Sequence, residues 1–382
     1  MVSVEYKKLG DIATYINGYA FKPEQRGSEG LPIIRIQDLT GNAYDLGYYN
    51  GDYPKKVELN DGDVLISWSA SLGVYLWNHG KALLNQHIFK VVFDKVEIDK
   101  FYFMYAVEYN LDKMSLKTHG ATMKHITKKD FDNVVIPYPD LDYQKEVAYR
   151  LTSLKGIIEK YQKQLDLLDE LVKARFVEMF GDLRINDKGW KYYKLDELTE
   201  LITDGEHATP KRTTQGIYLL SARNVLNHQL SLEDVDFIDC DEFDRISRRI
   251  IPKEGDVLIS CSGSIGRCCI VPKNIKFQMV RSIALLRFKS NINPVFAEYM
   301  ITSDYLQNQI NKSKTASSQA NLFQGKIKSL KGVVPPLELQ NQFASFVQEI
   351  DKSRSRIQKS LEASQELFDS CLLYTSPSPR DS

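Results

Sequence analysis

The sequence predicts an α+β protein built as one unit repeated twice, in which a strand-rich globular head is followed by a long helix. Three observations predict this fold class. A six-residue motif occurs once in each half of the chain, shorter matches surround it in the same order, and each half ends in a stretch with coiled-coil spacing. Because such a repeat relates the halves by symmetry, the two helices are expected to form an antiparallel coiled coil with a pseudo-two-fold relation.

The repeated motif is GDVLIS, at residues 62–67 and again at residues 255–260. Around it, residues 8–9 (KL) recur as residues 194–195, and the pattern PxLxxQ occurs at residues 139–144 and 335–340. The interval between matches lengthens along the chain, which indicates loop insertions in the second copy.

The heads, residues 1–140 and 190–336, have the pattern of short strands. Apolar runs bounded by Gly, Asn, Asp and Pro are typical of strands between turns. They lie at residues 31–36, 63–67, 88–93, 217–220, 256–260 and 283–288. Helical stretches at residues 101–109 and 294–310 are interspersed, so each head is predicted to be α+β and not a βαβ array.

The long helices are predicted at residues 141–181 and 337–370. Their apolar residues alternate at spacings of four and three, which is a heptad seam. In the first helix the seam is Val147, Leu151, Leu154, Ile158, Tyr161, Leu165, Leu168 and Val172. In the second it is Phe343, Val347, Ile350, Ile357, Leu361 and Phe368, with Arg354 and Ser364 as polar interruptions. Gly181 ends the first helix, which is about 60 Å long at 1.5 Å per residue. The alternative is that each helix packs only on its own head.

Composition sets limits on the class of protein. The 382 residues include 50 basic and 50 acidic side chains, so a nucleic-acid surface would have to be local. No apolar run approaches the roughly 18 residues of a membrane span, and no signal peptide is evident, so we expect a cytoplasmic protein with no membrane partner. The five cysteines and the histidines lack metal-ligand spacing.

Residues 371–382 (CLLYTSPSPRDS) resemble the in-frame translation of a transposase-type sequencing adapter. We therefore expect this tail to be non-native and leave it out of the fold class. On this interpretation the second helix is shorter than the first, and helix pairing is expected to be weaker there.

No catalytic motif is found. The sequence lacks a Walker A motif, a dinucleotide-binding glycine fingerprint and the Asn-Pro-Pro or Asp-Pro-Pro element of amino-methyltransferases. Residues 263–266 (GSIG) do not form a nucleophile elbow. We expect a noncatalytic protein with no cofactor of its own.

Two lysine windows, at residues 113–129 and 305–332, carry five lysines each and no Asp or Glu. A single window is typical of a solvated face, but two at equivalent positions of a neutral chain indicate a shared polyanion surface. Lysines neutralise phosphates without reading sequence, and interleaved polar groups are able to contact phosphates or base edges. The candidates are Lys117, Thr122, Lys124, His125, Lys128 and Lys129, and in the second copy Lys312, Lys314, Gln319, Asn321 and Lys326.

A second candidate surface follows the first strand pair of each head. Arg and Gln are suited to bidentate contacts with guanine and adenine, although a surface strand end is the plainer interpretation. The candidates are Arg35 and Gln37 in the first head, and Arg223 and Asn224 in the second. His207, Lys211 and Arg212 are further candidates in the second head.

The motifs in this order resemble the specificity subunit of type I restriction-modification systems. The carriers are residues 17–22 (NGYAFK), 120–122 (GAT), 136–139 (IPYP) with Gln144, 204–210 (DGEHATP), 262–267 (SGSIGR) and both GDVLIS strands. The resemblance covers residues 1–370.

The resemblance implies two target recognition domains that read the halves of a bipartite double-stranded DNA target. It also implies that the helices dock two copies of an adenine methyltransferase subunit, which an endonuclease/translocase subunit joins. Methyl donor, ATP and metal would then belong to those partners. Docking of one methyltransferase copy is in question if the second helix is short.

Two other hypotheses remain. The chain could be the recognition portion of a fused restriction-methylation enzyme, although the duplication favours a separate subunit. It could also be a coiled-coil scaffold, which the two lysine windows disfavour.

Overall fold

A computed structural model of the chain describes residues 5–42, 45–69, 71–117, 127–313 and 321–375, without the side chains of 112–117, 313 and 374. The chain divides into two compact units, one formed by Met1–Lys163 with Gln358–Ser382 and the other by Gln164–Ile357. In the described ranges, no helix combines the length and the apolar character that crossing a membrane requires.

The first unit contains the first head. Its strands are β1 (Glu5–Lys8), β2 (Thr14–Asn17), β3 (Leu31–Ile34), β4 (Gly47–Tyr49), β5 (Glu58–Leu59), β6 (Val64–Ser67), β7 (Gly73–Leu76), β8 (Ala82–Leu84), β9 (Ile88–Val92) and β10 (Val135–Tyr138). Its helices are α1 (Leu9–Ile12), α2 (Ile36–Leu39), α3 (Lys100–Lys117), α4 (Lys128–Asp132) and the start of α5 (Leu141–Phe180). The sheets have the orders β2-β9-β6-β7, β4-β3-β8-β5 and β1-β10.

The second unit contains the second head. Its strands are β11 (Tyr192–Lys194), β12 (Thr199–Asp204), β13 (Ile217–Leu220), β14 (Val225–Leu226), β15 (Gln229–Leu230), β16 (Asp236–Ile238), β17 (Val257–Ser260), β18 (Cys268–Ile270), β19 (Phe277–Met279), β20 (Ile283–Phe288) and β21 (Lys331–Val333). Its helices are α6 (Leu195–Leu198), α7 (Cys240–Ser247), α8 (Pro294–Thr302), α9 (Asp304–Ser313), α10 (Gln324–Ser329) and the start of α11 (Leu337–Leu372). The sheets have the orders β12-β20-β17-β18, β16-β13-β19, β14-β15 and β11-β21.

The two heads have the same strand plan. The antiparallel sheet β2-β9-β6-β7 corresponds to β12-β20-β17-β18, and the parallel pair β3–β8 corresponds to β13–β19. The first and last strands of each head also pair, β1 with β10 and β11 with β21. The predicted α+β fold with an internal repeat is therefore confirmed.

The last four residues of the GDVLIS motif form one of the two inner strands of each four-stranded sheet. Its glycine has a φ of +89° at Gly62 and +81° at Gly255, a region that glycine enters without strain. The following aspartate accepts a backbone N–H from three residues earlier, at 2.8 Å in both copies. It also pairs with a cation of the neighbouring strand, Lys90 in the first head and Arg287 in the second. The last four residues are buried. Backbone conformation, hydrogen bonds or burial therefore explain the residue type at each position of the motif.

The glutamine of the PxLxxQ pattern joins each long helix to its head. Gln144 and Gln340 are buried, and each donates to a proline carbonyl at 2.8 Å, that of Pro139 or Pro335. The Oε1 atom of Gln144 accepts the backbone N–H of Asp99, just before α3, at 2.9 Å. The Oε1 atom of Gln340 accepts the backbone N–H of Asn293, just before α8, at 2.8 Å. The side chain thus fixes the start of the helix through buried hydrogen bonds, which are costly to leave unmade.

Helices α5 and α11 pack against each other. In the second unit, Asp169 of α5 accepts from Arg354 of α11 at 2.6 Å. Farther along α5, Phe176 lies 5.4 Å from Phe343, which is earlier on α11, so the helices run antiparallel. The predicted seam residues are all buried or half-buried, and Arg354, a polar interruption of the seam, faces the partner helix.

In the first unit, the end of α11 packs on the start of α5. Val147 and Leu151 of α5 form an apolar cluster with Tyr102, Tyr105 and Phe368, to which Cys371 and Leu372 add. The helix therefore continues to Leu372, beyond the predicted end at residue 370, and a 3-10 turn follows at Leu373–Thr375. The helices pair in this unit despite the expected shortening. The origin of residues 371–382 stays a prediction.

Candidate nucleic-acid interface

Four segments of the second head lie side by side where β12 and β17 end. We call residues 205–207, 261–262, 281–282 and 321–322 the strand-end edge. The N–H of Arg281 donates to the carbonyl of Glu206 at 3.0 Å, and the N–H of Cys261 donates to Ser282 at 2.8 Å. The N–H of Leu322 then donates to Cys261 at 2.9 Å. These bonds bring the end of the second lysine window next to the loop that begins at Gly205.

Carboxylates hold that loop, residues 205–213, in place. Asp204 binds Arg249 at 2.6 Å and the exposed ring of His207 at 2.8 Å. Glu242 of α7 accepts the backbone N–H of Lys211 at 3.0 Å and a bidentate pair of bonds from Arg245. The Arg245 guanidinium lowers the pKa of Glu242 to about 2. The side chains of His207 and Lys211 therefore leave a fixed backbone and point to solvent.

The first head has the same edge. Gly18 occupies the position of Gly205, and a Cβ there would lie 1.9 Å from the carbonyl oxygen of Asn85, compared with 2.3 Å from that of Met279 at Gly205. Both positions therefore require glycine, since a backbone carbonyl cannot yield that distance. Two residues after the glycine, the exposed side chain is Ala20 in the first head and His207 in the second, so the frame is shared and the exposed chemistry differs.

Two predicted base-reading residues, Arg35 and Asn224, make contacts within their own heads. The Arg35 guanidinium forms a bidentate pair with Asp38 and also donates to the backbone of Asp45. Asn224 is 1% exposed and accepts the backbone N–H of Ser221 at 3.0 Å. In each head, the side chain three residues later caps the turn after the strand: Asp38 accepts the backbone N–H of Arg35, and Asn224 accepts that of Ser221. In this conformation both side chains already hold these contacts, and their role in base reading stays a prediction.

Gln37, Arg212 and Arg223 are exposed. The side-chain oxygen of Gln37 accepts from the Arg35 guanidinium at 3.1 Å. Arg212 binds Asp236 at 3.1 Å, and Arg223 binds the same carboxylate at 3.3 Å. These pairs are solvent-exposed and weak, so phosphate could replace the carboxylate as their partner.

The lysine windows are described in part. Thr122, Lys124, His125, Lys314, Gln319 and the side chain of Lys117 lie outside the described residues. Lys128 binds Asp132 at 2.8 Å, whereas Lys129, Lys312 and Lys326 are exposed. Asn321 pairs with Ser262 through a backbone bridge at the strand-end edge. In the ranges that the structure covers, no group of three or more His, Cys, Asp or Glu side chains is arranged to hold a metal ion.

One buried carboxylate lies away from this edge. Glu298 of α8 is 5% exposed, and burial raises its pKa above the ordinary value of 4.5 although His228 lies 3.3 Å away. The His228 ring stacks on Tyr299 at 4.1 Å, and Tyr299 in turn packs on Phe343 of α11. This group joins the second head to the long helix and is a source of pH-dependent stability.

Solved structures share the complete architecture. A crystal structure of a type I restriction-modification S subunit from M. genitalium superimposes with a TM-score of 0.60 at 14% identity, covering 99% of this chain and 98% of that one. A structure from work on complex assembly and conformational transition of the type I R-M system gives a TM-score of 0.55 at 15% identity, covering 97% of each. Two matched heads on a pair of long helices are thus the architecture of a type I S subunit.

Sequence comparison gives the family. The model for the type I restriction modification DNA specificity domain matches residues 1–168 and again residues 187–365. The chain belongs to this family of DNA specificity proteins. It is 24% identical to the EcoBI specificity subunit of Escherichia coli, covering 92% of this chain and 80% of that protein. It is 22% identical to the MjaVIII specificity subunit of Methanocaldococcus jannaschii, covering 91% and 86%. The resemblance stated from the motifs is confirmed.

Proposed function

We propose that this chain reads a bipartite double-stranded DNA target, with one half-site for each head. The carrying observation is that the heads share one strand plan and matching backbone bonds at the strand-end edge, yet expose different side chains there, such as Ala20 and His207. A shared frame sets the same approach to the duplex, whereas different exposed groups give different base preferences. The heads are then residues 1–140 and 190–336, joined by helices at 141–181 and 337–370.

The lysine windows would supply affinity in this function. Lys129, Lys312 and Lys326 are exposed cations, and lysine contacts with phosphate add sequence-independent attraction. His207 and Lys211 extend the same edge toward the grooves. The same proposal includes the candidates whose side chains lie outside the described residues: Lys117, Thr122, Lys124, His125, Lys314 and Gln319.

The long helices would dock two adenine methyltransferase subunits. Leu167 and Leu171 of α5 lie four residues apart on one face of the helix and are about half-exposed, at 50% and 47%. Apolar side chains at helical spacing on an exposed helix face favour a protein partner. The pseudo-two-fold repeat would present two equivalent faces. Catalysis would then reside in the methyltransferase and in an endonuclease/translocase subunit, and the naming of the relatives as specificity subunits favours this over a fused enzyme.

Co-expression with the methyltransferase subunit of the same restriction-modification system tests the proposed reading. Genomic DNA methylated by the complex should show one motif made of two short defined halves and a nonspecific gap. A single continuous motif would refute the assignment of one half-site to each head, and no methylation by an assembled complex would refute the function.

The docking face is tested by Leu171→Glu, which places a charge in the proposed contact. Leu232→Glu is the matched control, because Leu232 is also exposed, at 40%, but belongs to the second head. The Leu171 variant should fail to copurify with the methyltransferase, and the Leu232 variant should copurify normally. Equal copurification of both variants would exclude this face.

A further inference from the structure

Gln86 and Arg281 occupy the same place in the two heads. Gln86 lies two residues before β9, and Arg281 lies two residues before β20, which is the corresponding strand of the second four-stranded sheet. Neither lies in a lysine window. Gln86 is exposed in the first head, and Arg281 is exposed in the second.

The backbone holds both positions with matching hydrogen bonds. The N–H of Gln86 donates to the carbonyl of Tyr19 at 3.0 Å, as that of Arg281 does to Glu206. The preceding residue donates to the end of the parallel strand, Asn85 to Ile34 and Val280 to Leu220, each at 3.0 Å.

The following residue is held as well. The carbonyl of His87 accepts from Trp68 at 3.3 Å, and that of Ser282 accepts from Cys261 at 2.8 Å. In the first head the Trp68 and His87 rings also pack at 5.1 Å. The two side chains therefore start from the same fixed point in each head, which is what precise contact with a base requires.

The side chains themselves have no hydrogen-bond or ion-pair partner among the described residues. Two other arginines of the second head differ, since Arg245 binds Glu242 and Arg249 binds Asp204. Arg281 is thus an exposed cation at the strand-end edge that no carboxylate in the described part of the chain neutralises. Its neighbour Ser282 is joined through Cys261 to Leu322, at the end of the second lysine window.

The geometry points to Gln86 and Arg281 as base-reading residues, one for each half-site. The inference rests on the proposed function and adds which residues determine specificity. An arginine guanidinium donates two hydrogen bonds to O6 and N7 of guanine, and a glutamine amide pairs with N6 and N7 of adenine. The half-site of the second head therefore contains a G·C pair read by Arg281, and that of the first head contains an A·T pair read by Gln86.

The test uses the complex of the full chain with its methyltransferase on a randomised duplex library, with methylated products sequenced. Arg281→Ala should lose about 10- to 100-fold preference at one G·C pair of one half-site, the scale of a bidentate base contact. Gln86→Ala should relax one A·T pair of the other half-site. Arg281→Gln should shift the same position toward A·T. Arg248→Ala is the matched control, because Arg248 is an exposed arginine of the same head outside the strand-end edge.

The outcomes separate this inference from the proposed function. If the wild-type complex yields no bipartite motif, the proposed function fails and the inference with it. If the wild-type motif is present and Arg281→Ala changes no base preference, the inference alone is overturned. A uniform loss of binding with a salt slope lowered by about 1 would mean that Arg281 contacts a phosphate, and this also overturns it. If the alanine variant does not assemble, Arg281→Lys decides, since lysine keeps the charge without the bidentate fork.

Discussion

Phe343 of α11 is the residue whose removal should most weaken the second unit. Its side chain is fully buried, and its ring lies 5.4 Å from Phe176, 5.5 Å from Phe180 and 5.2 Å from Tyr299. These neighbours belong to α5 and α8, so no single segment is free to collapse into the space left by Phe343→Ala. We therefore expect a loss of about 3–5 kcal/mol in the free energy of unfolding, the range for a buried phenylalanine.

The assay is pulsed thiol labelling of Cys268 across a urea series, read by mass spectrometry. Cys268 is fully buried in the same apolar cluster as Phe343, so its labelling reports the opening of this unit. With a urea dependence of roughly 2–3 kcal/mol/M, the midpoint should fall by about 1–2 M. The control is Phe323→Ala, because Phe323 is 60% exposed and should change stability by less than about 0.5 kcal/mol.

Equal urea midpoints for Phe343→Ala and Phe323→Ala would refute the reasoning, since burial of the ring would then not determine the loss in the free energy of unfolding. Phe343→Leu gives an intermediate check. Leucine keeps most of the buried volume, so this variant should lose less than half of what Phe343→Ala loses.

Three further predictions concern charge. Glu242→Gln should lower the free energy of unfolding of the second unit at neutral pH. This loss of stability should shrink as the pH falls from 4.5 toward about 2, because Arg245 lowers the pKa of Glu242 only in the folded state. The same Cys268 labelling assay across pH measures the loss, and a loss that does not change with pH would contradict the prediction. The pH dependence from Glu298 has the opposite sign, because burial raises the pKa of this carboxyl in the folded state. Its contribution to the free energy of unfolding is complete below pH 4.5 and is lost as the pH rises through the pKa of the folded state. Wild type should therefore lose stability relative to Glu298→Gln between pH 4.5 and neutrality, and a constant difference would exclude this titration. Lys129→Gln should weaken binding of the methyltransferase complex to all DNA sequences alike and lower the slope of log affinity against log salt by about 1; an unchanged slope would remove Lys129 from the interface.

The repeat was readable in the sequence because its causes are local. The glycine of GDVLIS needs a positive φ, the aspartate caps its own turn, and the last four residues are buried in both heads. The coiled-coil pairing was readable for a related reason, since heptad spacing is a property of one helix face.

The roles of Arg35 and Asn224 depended on contacts that the sequence shows only faintly. In each head the first residue after the strand donates its backbone N–H to a polar side chain three residues later, Arg35 to Asp38 and Ser221 to Asn224. That spacing of three is typical of capping and was the available indication. The suitability of a side chain for hydrogen bonds with a base, on which the prediction rests, does not show whether that side chain is already hydrogen-bonded within the protein.

Gln86 and Arg281 were missed because nothing local distinguishes them. Their positions are fixed by bonds to Tyr19 and Glu206, which are far away in the sequence. Residues 86–88 (QHI) and 281–283 (RSI) do align once the following strands are matched. The comparison that would have found them is of the exposed residue just before an equivalent strand in each copy.

The boundaries between the compact units have a practical consequence for exchanging heads between proteins. They fall within the long helices, at residues 163–164 and 357–358, and not where the heads end. A graft cut at residue 140 would separate Tyr102 and Tyr105 from Val147 and Leu151, with which they form one cluster. A segment exchanged between proteins must therefore include the head and the adjoining half of each long helix. The junctions should be placed in the middle of the helices, so that the residues of each cluster stay together.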